Sequence, residues 1–311
     1  MRTIRTKKFI LMSILTFNVI MLALFSGGCG WDTVQPPNTT DTEPNIEQNK
    51  SQSDDQRAEE SMDQATEQND EQGSEQSKAQ KSGIQDNDQN TDSPEPVVTF
   101  VNESGTTIEE RFGVPRGFER VKVQEGSFEE YLRRLPLKPH GTVVKYYDGR
   151  IKPKEVHEAV IDMDVGDRDL QQCADAVMRL RAEYLYANEL YDKIHFNFTN
   201  GFRADYNKWA QGNRISVEGN VTCWVKKTDY STDYASFRRY LDMVFAYAGT
   251  LSLSKEMQPV AIEKMKIGDV FMIGGSPGHC VIVVDMAENK ENGDKLFMLA
   301  QSYMPAQDIH I

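Results

Sequence analysis

Cys173 and His279 are the residues of this chain whose types and settings best suit covalent chemistry. Cys173 falls where a helix is expected to begin. The unpaired amide N–H groups and positive dipole end of a first turn favour the thiolate, the nucleophilic form of cysteine. His279 opens the apolar stretch Val281-Ile282-Val283-Val284, directly after the turn sequence Gly274-Gly275-Ser276-Pro277-Gly278, so its ring is expected at an exposed strand mouth. Period-two alternation puts His279, Val281, Val283 and Asp285 on one face and Cys280 on the other, away from the surroundings of His279. The following strand ends at Gln301, whose side chain can hydrogen-bond an imidazole and hold its tautomer. Cysteine, histidine and glutamine thus stand in the chain order of a nucleophile, a base and an orienting group, which suits acyl transfer through a covalent intermediate. The bland alternative is that Cys173 is a buried, inert cysteine on the apolar stripe of its helix.

The elements that must position these residues are legible from periodicity. Leu170, Cys173, Val177, Leu180 and Tyr184 form one apolar stripe at helical spacing. Asp169 followed by Gln172 resembles a capping box, so this helix is expected to begin near residues 168–170. Phe128 to Leu135 and Ser236 to Ala248 read as further helices. Val97 to Val101, Thr142 to Tyr147 and Glu158 to Met163 read as strands, the second turning at Asp148-Gly149. Val270 to Ile273, His279 to Asp285 and Lys295 to Gln301 are the closing strands, the last two separated by the polar turn Glu288 to Asp294. Helices first and strands last, without alternation, predict an α+β fold with an antiparallel sheet.

Charge is distributed unevenly. The net charge of -13 includes the stretch 29–97, which holds 17 acidic residues against 4 basic ones and has no aromatic after Trp31 until Phe100. So few apolar groups cannot offset the entropy of ordering a backbone, and the stretch reads as a disordered acidic linker spanning roughly 45 Å. Residues 98–311 remain as a single domain large enough for a sizeable core. Neither the chain nor this domain is basic, which excludes a nucleic-acid binder of the basic-patch kind.

The first 28 residues read as an address. Arg2, Arg5, Lys7 and Lys8 precede an apolar run from Phe9 to Phe25, short for a spanning helix, and then Ser26-Gly27-Gly28-Cys29. That ending resembles the lipobox of a bacterial lipoprotein signal peptide, although Ser26 stands where the motif usually carries an aliphatic residue. The resemblance implies cleavage before Cys29 and lipidation of its sulfur. An uncleaved N-terminal anchor is the alternative. Either form exports the domain and tethers it to a membrane, at the cell surface or in the periplasm.

With Cys29 lipidated, Cys173, Cys223 and Cys280 remain, an odd number for an exported protein, so at least one is free or paired with another chain. The absence of Cys-x-x-Cys and His-x-x-x-His spacing gives a structural zinc site little support, and no cofactor is implied. His157 and His195 read as core or strand-face residues and His140 as a loop residue. Tyr206 and Trp209, with Phe202, Arg203, Asp205 and Gln211 around them, are candidates to line a substrate groove, or belong simply to a solvated helix.

Gln172-Cys173-Ala174-Asp175-Ala176-Val177 resembles the nucleophile motif of papain-like wall amidases and peptidases of the NlpC and CHAP type. Ile267-Gly268-Asp269-Val270 with Gly278-His279 is similar to their base motif, and Gln301 stands where they carry His, Asn, Gln or Glu. Residues from about 116 onward resemble a family of bacterial lipoproteins, the domain of unknown function numbered 4846, on Phe128-x-x-Tyr131-Leu132-Arg133-x-Leu135-Pro136-Leu137 and Phe202-Arg203-Ala204-Asp205-Tyr206. The separation of Cys173 from His279 is long for compact wall peptidases and implies an insertion. The ending Asp308-Ile309-His310-Ile311 falls in mid-alternation, which leaves open both a complete domain and a truncated one with later strands missing.

These resemblances imply a lipid-anchored cysteine hydrolase of amide bonds in peptidoglycan stem peptides, with Cys173 as nucleophile, His279 as base and Gln301 as orienter. A papain-like binding or scaffold lipoprotein without turnover is the alternative from another class. Transglutaminase-like acyl transfer shares the same chain order.

Overall fold

The computed structural model describes Arg2–Ile4 and residues 100–311, which belong to one unit of the chain. The expected lipidation site Cys29, the apolar run from Phe9 to Phe25 and the whole acidic linker 29–97 lie outside the described residues. Among the described residues, no helix is long and apolar enough to cross a membrane.

In chain order the elements are β1 (Arg2–Ile4), α1 (Ile108–Arg111), β2 (Phe118–Arg120), α2 (Phe128–Arg133), α3 (Cys173–Ala187), β3 (His195–Asn197) and β4 (Arg203–Asp205). There follow α4 (Tyr206–Ala210), β5 (Asn213–Glu218), β6 (Val221–Lys226), α5 (Tyr234–Tyr247), α6 (Thr250–Glu256) and β7 (Gln258–Val260). The closing strands are β8 (Asp269–Ile273), β9 (His279–Asn289) and β10 (Lys295–Ala300). Helix starts follow local chemistry. Ser127 accepts the Glu130 N–H at the head of α2 and Asp233 accepts the Ser236 N–H at the head of α5, each satisfying an amide that has no partner within its helix.

The fold is α+β. The long strand β9 organises it, pairing antiparallel with β10, with β8 through its first residues, and with β2 through its last. The hairpins β3–β4 and β5–β6 form two smaller antiparallel sheets, and with α4 to α6 they fill the interval between the cysteine helix and the histidine strand. β1 is the exception to antiparallel pairing. Arg2–Ile4 lies in parallel register between β8 and β7, although those residues read as the basic start of a leader.

The core lies between α3 and the sheet. Val177, Leu180 and Met178 of α3 are buried with Val270, Ile282 and Val284, and α3 packs against β9. A bulge breaks the expected alternation of β9, because Met298 pairs with Asp285 and Leu299 with Val283, so Asp285 shares the face of Ile282 and not that of His279. There it takes Arg133 Nε at 2.7 Å and Arg120 Nε at 2.8 Å, which ties α2 and β2 to the far end of β9.

Several expected strands are shorter or absent. Val160 and Ile161 are fully buried but form only single bridges, to His310 and Leu137, because their neighbours are irregular segments and not continuous strands. Of the strand expected over Val97 to Val101, residues 97–99 lie outside the described residues, and Val101 makes one bridge, to Phe112. The turn at Asp148-Gly149 is present, with Tyr146 bonded to Arg150, but its arms are reduced to the Lys145–Ile151 bridge. α3 begins at Cys173, later than expected. The Asp169 carboxylate is engaged by the Gln172 side chain and the Ala306 N–H, and Asp175 caps the helix by accepting the Gln172 N–H at 3.0 Å.

Candidate active site

Each side chain of the site is delivered by a different element. Cys173 is the first residue of α3, where N–H groups lack acceptors within the helix. The segment ahead of it is fastened to the end of the chain. The Ser302 hydroxyl lies 3.1 Å from the Gln171 carbonyl and 2.9 Å from the Gln307 carbonyl, and the Ala306 N–H donates to Asp169. The same C-terminal segment grips Gln301, whose backbone exchanges hydrogen bonds with His310 in both directions at 2.9 Å.

His279 is set by the glycine-rich turn. A Cβ on Gly278 would meet the Thr250 hydroxyl at 2.3 Å and the Gly275 carbonyl at 2.4 Å, and one on Gly274 would meet the Ser254 hydroxyl at 2.4 Å. Only glycine lets this turn lie against α6, where the Thr250 hydroxyl donates to the Gly275 carbonyl. The Gly268-Asp269 pair shapes the entry to β8. Gly268 has φ +87° and a Cβ there would press on Phe128, while the Asp269 carboxylate accepts the Lys266 N–H. That motif is structural support for the strand beside His279.

The structure brings Cys173, His279 and Gln301 together. His279 Nε2 lies 2.9 Å from Gln301 Oε1, and the His279 side chain also hydrogen-bonds Cys173. With Nε2–H donating to Gln301, Nδ1 is the nitrogen left for the sulfur. Cys280 joins them, against expectation: its thiol hydrogen-bonds the Cys173 sulfur. Alternation does turn Cys280 to the core side of β9, but that is the side covered by the start of α3. His279, as the first residue of the strand, reaches the same sulfur from the open end of the sheet.

Electrostatics follow from these contacts. The Cys173 thiol is held well below the ordinary cysteine range, first by the hydrogen bond from Cys280, then, against the opposing effect of burial, by His279 and the Ala174 amide. Burial alone would lower the His279 ring, yet hydrogen bonds with Cys173 and Gln301 push it up. Cys280 is pushed up by the Cys173 sulfur and by burial. The cluster therefore favours a Cys173 thiolate beside a protonated His279.

Two site neighbours had no sequence signal strong enough to single them out. The Tyr303 ring lies 4.9 Å from the His279 ring, and Lys152 Nζ lies 5.8 Å from the Tyr303 ring centroid. Tyr303 follows Gln301 by two residues, a spacing that hints at a shared face. Lys152 arrives from a loop after the Asp148-Gly149 turn and is placed only by tertiary structure.

Tyr206 and Trp209 do not line a groove. Tyr206 is fully buried among Tyr186, Tyr191, Phe237 and Tyr240, and the Trp209 indole N–H donates to Ser236, so both serve the core against α5. Cys173, Cys223 and Cys280 are all free thiols. His157 and His310 are stacked edge to face, His195 is on β3 and His140 is in an exposed loop. Among the described residues, no group of three or more His, Cys, Asp or Glu side chains could hold a metal ion.

Fold and site together define an α+β domain with a cysteine–histidine–glutamine cluster at the open end of its main sheet. Residues 108–311 match the family described as Domain of unknown function (4846), and the chain belongs to that family. No curated protein and no solved structure matches it.

Proposed function

We propose that this chain is an exported, lipid-anchored protein whose domain is a papain-like cysteine hydrolase acting on amide bonds of cell-wall peptides. The observation that carries this reading is the contact of Cys173 with a histidine whose other nitrogen is held by Gln301. The Cys173 thiolate would attack the carbonyl carbon, and the resulting oxyanion would sit near the Cys173 N–H in the first turn of α3. His279 would give its proton to the departing amine, then deprotonate the water that hydrolyses the thioester. Gln301 keeps Nδ1 turned to the sulfur throughout. The anchor rests on the resemblance of residues 1–29 to a lipoprotein leader. Removing residues 1–28 would also withdraw β1 from between β7 and β8, leaving both of those edges open.

The test is release of soluble fragments from purified peptidoglycan by the protein and by Cys173→Ser, with folding checked by circular dichroism. Release that depends on Cys173 supports the proposal, and equal release by the variant contradicts it. The depth of Cys173, 8% exposed, favours a second reading, a binding or scaffold lipoprotein. That reading expects retention on peptidoglycan by both forms and no cleavage by either.

A further inference from the structure

Cys280 has no part in the hydrolytic steps, yet it is a hydrogen-bond partner of the nucleophile. It is 1% exposed, on the core side of β9, and its thiol donates to the Cys173 sulfur. Both residues are free thiols. A thiolate stabilised by a histidine and a helix start is the form of cysteine that hydroperoxides oxidise, and a second thiol in contact with it is placed to intercept the product.

We infer that Cys173 and Cys280 form a reversible peroxide-oxidation site, in which Cys280 is the resolving thiol that captures oxidised Cys173 as an internal disulfide. In the first step the Cys173 sulfur attacks the distal oxygen of a hydroperoxide. The S–O bond forms, the O–O bond breaks, and the departing alkoxide or hydroxide takes the proton carried by His279. In the second step the Cys280 sulfur attacks the sulfur of the Cys173 sulfenic acid. The S–S bond forms, the S–O bond breaks, and the hydroxide leaves with the Cys280 proton as water. One hydroperoxide is thereby reduced and two thiols are oxidised, with no further reactant.

The location of Cys280 makes this capture faster than competing paths. The Cys280 sulfur is already a hydrogen-bond partner of its target, whereas a thiol from another molecule must reach a cysteine that is 8% exposed. Disulfide formation protects Cys173 from irreversible sulfinic and sulfonic acids, and it silences the nucleophile until a dithiol restores it. This inference rests on the same thiolate as the proposed hydrolase, but its test does not need a substrate.

The purified protein is treated with hydrogen peroxide, blocked with an alkylating agent under denaturing conditions, and mapped by non-reducing peptide mass spectrometry. A cross-linked peptide pair joining Cys173 to Cys280, formed before loss of the Cys223 thiol and reversed by dithiothreitol, is expected. Cys280→Ala, chosen because alanine leaves no polar atom behind, should lose the cross-link and accumulate sulfinic and sulfonic acid at Cys173. Cys280→Val serves if the alanine variant does not fold. The inference is overturned if wild-type Cys173 passes to sulfinic acid while Cys280 stays a free thiol, or if Cys173 pairs with Cys223 instead. A cross-link in a protein that releases no wall fragments would leave this site standing and remove the hydrolase, and wall cleavage without a cross-link would do the reverse.

Discussion

His279 Nε2 and Gln301 Oε1 meet at 2.9 Å because β9 begins where the antiparallel β10 ends. Antiparallel pairing brings two residues 22 positions apart to the same end of the sheet, and the backbone bonds between Gln301 and His310 keep the amide there. An amide oxygen accepts only, so it assigns the Nε2 proton and leaves the opposite nitrogen to the sulfur.

Gln301→Ala should therefore weaken the pair without dismantling it. Alkylation of Cys173 near pH 6 is expected to slow on the order of tenfold to a hundredfold. Gln301→Glu should retain most of the rate, because a carboxylate oxygen also accepts from Nε2 and favours the protonated ring. Site-resolved alkylation by peptide mass spectrometry reads both.

Asp285→Ala should destabilise the fold by about 3–5 kcal/mol, since it leaves the Arg133 and Arg120 guanidinium groups without their carboxylate in a largely buried setting. Chemical denaturation measures this. Asp285 lies six residues along β9 from His279, about 20 Å at strand rise, so reactivity of Cys173 in the molecules that remain folded should be unchanged.

His310 links stability to pH. Burial, more than any other influence, lowers its ring from 6.5 to about 4. The unfolded chain thus binds a proton that the folded chain refuses, and stability is full above about pH 6.5 and falls as pH drops from there toward about 4. His310→Gln should flatten that acid limb, whose height is roughly 3 kcal/mol at most. Denaturation midpoints taken across that range check it.

Strong periodicity made the positioning elements legible. The stripe of α3 and the apolar run of β9 each have many residues that repeat the same signal, and Asp148-Gly149 and the glycine-rich turn mark their bends through backbone chemistry. What was hidden depends on partners distant in sequence. Tyr206 and Trp209 look like groove residues in isolation, and only the side of α5 that carries Phe237 and Tyr240 makes them core. Val160 and Ile161 have strand-like residues but find irregular neighbours. Alternation placed Cys280 on its face of β9 correctly but was silent on what covers that face. Lys152 and Tyr303 reach the site from loops, where no period operates.

The most direct test is the pH dependence of Cys173 alkylation in the purified protein and in His279→Ala, read residue by residue. A depressed cysteine beside a raised histidine keeps the thiolate populated in acid, so the wild-type rate should stay nearly flat from about pH 5.5 to pH 8. In His279→Ala the rate near pH 6 should fall and regain a dependence on pH. A wild-type rate that climbs through about pH 8.5, as for a free thiol, and is indifferent to His279 would contradict the ion pair and leave Cys173 a buried core residue.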